Sequence, residues 1–110
     1  MREELIEKIL AFRQERNWEQ FNNPKDLAIS LSLEASELLE TFQWKSSDEA
    51  VALKKEEMAS ELADILIYAV YLAHDLDLDI EEIILAKLQK NAVKYPIAKA
   101  FGKKDKYTNL

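Results

Sequence analysis

The sequence predicts an all-α protein with the architecture of a four-helix bundle, on three observations. One glycine and two prolines in 110 residues leave too few chain reversals for a turn-rich β fold. Apolar residues make up 48% of the chain and charged residues 33%, a balance suited to a globular core and not to a disordered polymer. Four stretches repeat apolar side chains at helical spacing, and the short connections between them set neighbours antiparallel. The length fits a single domain, 1–110, with a helical core over about 1–97 and a tail over 98–110.

The first helix, about Arg2 to Arg16, places Leu5, Ile6, Ile9, Leu10 and Phe12 on one side, and Asn17 to Asn23 breaks it. Asn23-Pro24 starts the second, with Asn as cap and Pro at the first helical position, and the helix runs to about Thr41. Ser46-Ser47-Asp48-Glu49 starts the third, the longest, which reaches about His74. Asp79, Glu81 and Glu82 open the fourth, which ends by Tyr95 because Pro96 follows. The longest apolar run, Ile65 to Ala73, is about half of what a membrane span needs. There is no cysteine, so disulfides and thiolate sites are excluded and a cytoplasmic setting is expected.

Net charge is −6, which argues against a nucleic-acid polymer as partner. The charge is unevenly spread: from Lys87 onward seven lysines stand against Asp105 alone. That basic end reads either as a solvated tail or as a surface for an anion.

The third helix departs from plain core. Met58, Leu62, Ile65, Leu66, Ala69 and Val70 call for burial on most sides, yet Glu61 and Asp64 lie among them at i, i+3. Their face continues through Glu57, Tyr68, Tyr71 and Asp75. The second helix carries a matching pair, Glu34 and Glu37. Either pair alone is as readily a solvated helix surface. On antiparallel neighbours the two pairs bring four carboxylates together, an oxygen cage for a hard divalent cation such as Mg²⁺, with Mn²⁺ as a substitute. A di-iron bundle would need Glu-x-x-His, and the only histidine, His74, follows Tyr71 at that spacing.

Helix four supplies positive charge. Lys87, Asn91 and Lys94 share one face, two cations and an amide suited to phosphate oxygens, or otherwise a solvated lysine face. Trp18, Phe21, Phe42 and Trp44 flank helix two, either as core or as a flat pocket for a base.

Taken in order, these residues resemble a known family. Phe12-Arg13-Gln14-Glu15-Arg16-Asn17-Trp18-Glu19-Gln20-Phe21, Glu34-x-x-Glu37 with Phe42-Gln43-Trp44, Glu61-x-x-Asp64 and Lys87-x-x-x-Asn91-x-x-x-Tyr95-Pro96 are similar to the MazG-like nucleotide pyrophosphohydrolases. Within that family they resemble the branch that includes dCTP pyrophosphatases. The resemblance implies that Glu34, Glu37, Glu61 and Asp64 bind Mg²⁺. It also implies that Trp18, Trp44, Tyr68 and Asn91 line a nucleoside pocket, and that Lys87, Lys94 and the tail meet the phosphates. Homodimers or homotetramers are implied as well. Many relatives have two adjacent glutamates at the first motif, whereas here Leu33 precedes Glu34, which leaves the number of metals open. The expected activity is hydrolysis of a (deoxy)nucleoside triphosphate to monophosphate and pyrophosphate, with Glu34 or Glu37 as base, in the cleansing of nucleotide pools. The alternative is a non-catalytic helical module that binds nucleotide or a partner protein.

Overall fold

A computed structural model describes all 110 residues, and the regular structure is entirely helical with no strand. Five helices follow in order: α1 (Glu3–Glu15), α2 (Pro24–Glu40), α3 (Ser47–Asp75), α4 (Ile80–Lys94) and the short α5 (Ile97–Ala100). The four long ones are those the apolar spacing predicts. The chain divides into two compact units, Met1–Asp77 and Leu78–Leu110.

Local chemistry explains the helix ends. The Asn23 side chain accepts from the Asp26 amide while Asp26 accepts in return, with Pro24 at the first turn, a reciprocal box that closes the start of α2. Ser46 and Asp79 cap α3 and α4 by a single bond each, accepting from the Glu49 and Glu82 amides. Asn17 stops α1 by taking the left-handed conformation at φ 53°, which asparagine tolerates better than most residues.

The first unit is built on α3. Helix α2 packs along it and α1 packs more lightly against it. Leu27, Ala50, Val70, Tyr71 and Ala73 form the buried apolar core, with Arg13 and Thr41 the buried polar residues. One feature differs from expectation, and one is not foreseen by it. α3 is not covered on most sides, because only α1 and α2 pack on it within this unit, and Leu62 and Leu66 stay half exposed. Nor is α3 continuous: Lys54 leaves helical geometry (φ −123°, ψ 15°), a kink with no proline or glycine to cause it.

In the second unit α4 keeps no residue fully buried. The tail is not featureless. Tyr107, in a final 3₁₀ turn, meets the Tyr95 ring edge-on at 6.0 Å and lies 5.0 Å from the Lys94 Nζ. No helix is long and apolar enough to cross a membrane.

Candidate metal and nucleotide site

Antiparallel packing of α2 on α3 lets two short carboxylate motifs face each other. Glu34 from α2 and Glu61 and Asp64 from α3 each offer an oxygen, and these all lie within 4.8 Å of one another. One turn along α2, Glu37 stands outside that trio but acts on it. The Glu34 carboxyl is pushed up from 4.5 to about 7, first by the Glu61 carboxyl beside it, then by burial and by Glu37 and Asp64. Glu61 is held down by Glu34 but raised on balance by burial, Glu37 and Asp64.

Two oxygens, Glu34 Oε2 and Glu61 Oε2, are buried without any hydrogen-bond partner. An orphaned buried acceptor is unfavourable, and two on converging carboxylates are satisfied together by a cation. Oxygen-only donors of this kind suit a hard divalent ion. The residues present therefore fit the metal.

Clefts open on α3 to either side of the trio. Beyond Asp64, a cleft of about 380 Å³ is walled by Ile9, Phe12, Trp18, Ile67, Tyr68 and Tyr71. Its aromatics are braced edge-to-face: Phe12 meets Trp18 at 5.8 Å, and Tyr68 meets Tyr71 at 6.1 Å. Arg16 lies 3.6 Å over the Phe12 ring and fixes that wall from behind. Beyond Glu61 and Glu37, a second cleft of about 560 Å³ is polar, with Thr41, Trp44, Lys45, Lys54 and Ser60 on its lining.

Of the residues singled out from sequence, Glu34, Glu61 and Asp64 come together, with Glu37 adjoining. Trp18 and Tyr68 share the aromatic cleft with Asp64. Trp44 lies on the polar cleft instead, 91% exposed and with a left-handed backbone at φ 64°. Lys87, Asn91 and Lys94 keep their common spacing on α4, in the second unit, with Asn91 partly buried. Sequence reasoning missed the floor of the aromatic cleft. Arg13 is 2% exposed and pairs with Asp75 through two hydrogen bonds of 2.8 Å, and its guanidinium lies 5.1 Å from the Tyr71 ring. Tyr71 and Asp75 were on the marked stripe of α3, but nothing in the spacing of α1 pointed to Arg13 as their partner.

Fold and site together define an all-α protein with a cation-competent carboxylate seam between antiparallel helices, flanked by an aromatic cleft. The sequence profile of the MazG-like family matches residues 29–110, and the chain belongs to that family. It is 42% identical to a pyrophosphatase from Archaeoglobus fulgidus, whose crystal structure aligns over 86% of this chain and 91% of that one with a TM-score of 0.79. It is also 40% identical over 104 residues to dCTP pyrophosphatase 1 of Mus musculus and 38% identical over 104 residues to that of Homo sapiens. Those alignments cover 90% of this chain and 61% of each relative, so the chain spans about three-fifths of their length.

Proposed function

We propose that this chain is a Mg²⁺-dependent nucleoside triphosphate pyrophosphohydrolase, acting on dCTP or a related deoxynucleotide and clearing it from the cytoplasmic pool. The observation that carries the reading is the trio of Glu34, Glu61 and Asp64, with its two orphaned oxygens, set directly against an aromatic cleft. The names of the relatives support the substrate class.

In this reading the base stacks in the aromatic cleft on Trp18 and Tyr68, which leaves the phosphates against the carboxylates. Glu34, Glu61 and Asp64 hold Mg²⁺, with Mn²⁺ as a substitute and Glu37 able to join them. When bound, the ion supplies Lewis acidity toward the α-phosphate and toward water. Glu37, outside the trio and not fully engaged with the ion, takes the proton of the attacking water. The new bond forms between water oxygen and the α-phosphorus. The bond from that phosphorus to the α,β-bridging oxygen breaks, and pyrophosphate leaves with the electron pair. On α4, Lys87, Asn91 and Lys94 offer two cations and an amide of the kind that suits phosphate oxygens. Half-exposed Leu62 and Leu66, with Leu33 and Leu39 more exposed still, support assembly as a homodimer or homotetramer.

The test is pyrophosphate release from a panel of dNTPs and NTPs, with Mg²⁺ or with EDTA. Release that needs metal and is fastest with a deoxycytidine nucleotide is the expected result. No release from folded protein that still binds nucleotide would replace this reading with that of a non-catalytic binding module.

A further inference from the structure

The polar cleft begins at the same carboxylates, with Glu37 and Glu61 on its lining, and runs the opposite way from the aromatic cleft. Along α3 the order is Tyr71, Tyr68, Asp64 on the aromatic side, then Glu61, Glu57 and Lys54 on the polar side. From Glu61 to Lys54 the helix advances about 10 Å, and the two ends of the seam thus differ in chemistry, one for a ring and one for charge. We propose that the polar cleft holds the leaving pyrophosphate, with Lys45 and Lys54 as its ligands.

Lys45 and Lys54 are the only cations on that lining, and they arrive from different elements, the loop after α2 and the kink of α3. Neither ammonium is committed. Lys54 lies 3.4 Å from Glu57 on a solvent-accessible surface, and Lys45 reaches the Gln43 carbonyl at 3.5 Å. Both are long pairings that a phosphate oxygen, a stronger acceptor, displaces. The kink falls on Lys54 itself, so the one residue of α3 that leaves helical geometry is a residue whose side chain lines this cleft. Ser60 adds a hydroxyl to the same wall. Glu37, Glu40, Glu57 and Glu61 on the lining repel a bare polyanion. Pyrophosphate therefore enters only with a divalent cation beside it. Two ammonium groups at the far end of the seam then hold the terminal phosphate of the leaving group and offset its charge.

This inference rests on the pyrophosphohydrolase reading, and the experiment separates the two. In the Lys45→Met/Lys54→Met protein, inhibition by pyrophosphate in the presence of Mg²⁺ is expected to weaken by about tenfold, and kcat to fall with it. Inhibition by the nucleoside monophosphate product should stay unchanged, and Lys45→Arg/Lys54→Arg should restore the pyrophosphate response. Lys55→Met, which removes the neighbouring charge off this lining, is the control and should behave as wild type. Unchanged pyrophosphate inhibition in the folded double variant would overturn the proposal, as would an equal loss toward the monophosphate. If wild-type protein hydrolyses no nucleotide, the pyrophosphohydrolase reading fails. Calorimetric titration of both proteins with Mg²⁺ and pyrophosphate then decides the cleft: loss of binding in the variant upholds it, and equal or absent binding ends it.

Discussion

Arg13 and Asp75 stand 62 residues apart in the chain and meet through two parallel hydrogen bonds of 2.8 Å each. The pair ties the end of α1 to the end of α3, and α1 has little else that holds it there. Arg13 is almost fully enclosed and Asp75 is one-fifth exposed, so removing one partner strands the other. Arg13→Ala is expected to destabilise the fold by about 3 kcal/mol, read from urea denaturation. The guanidinium beside Asp75 holds its carboxyl below the usual range. Stability from this pair is thus complete above the unfolded aspartate value and is lost as pH falls through the lower folded one. Asp75→Asn should flatten that acid limb, and an unaltered limb would remove the pair as its cause.

The carboxylate trio has the opposite sign. Glu34 in the folded protein is raised from 4.5 to about 7, so the native state binds protons that the unfolded chain releases. Metal-free protein is therefore expected to lose stability as pH rises from about 4.5 to about 7. Mg²⁺ should reverse the trend by binding the deprotonated carboxylates, with its greatest stabilisation at and above neutral pH. Thermal melting across that range, with and without Mg²⁺, checks it. Glu61→Gln should cancel the metal effect.

Glu37 borders the trio without belonging to it. Glu37→Gln is expected to lower kcat by at least about 10²-fold while the circular dichroism of the fold is unchanged. Near wild-type turnover would assign the base to Glu34.

The aromatic cleft is braced, not loosely lined. Trp18 is fixed by Phe12 and Phe12 by Arg16. Trp18→Ala removes one stacking face and should weaken nucleotide binding by about 1–3 kcal/mol, seen mainly in KM. Phe12→Leu keeps the volume but loosens the brace, and a smaller change of the same kind is expected.

Much of this was legible in local sequence. Asn23, Ser46 and Asp79 cap α2, α3 and α4 as their side chains predict, because capping involves only the next few amides. The convergence of Glu34 with Glu61 and Asp64 was legible for a related reason: i, i+3 spacing fixes a face, and short connections make neighbours antiparallel. The Arg13–Asp75 pair was not, since a contact across 62 residues leaves no periodic trace. Nor was the kink at Lys54, which no proline or glycine announces. The two tryptophans flank α2 symmetrically in sequence, yet Trp18 turns to one cleft and Trp44 to the other, a distinction made only by the packing of α2 on α3.

Trp44 combines two properties that a folded chain ordinarily keeps apart. Its backbone is left-handed, a conformation that is a genuine outlier for a bulky side chain, at about 1–2 kcal/mol. Its ring is 91% exposed and returns almost nothing to the fold through burial. Glycine at this position would relax the turn and raise the melting temperature of the isolated chain. The fold therefore holds this indole at a cost it does not recover, with the ring left open on the polar cleft.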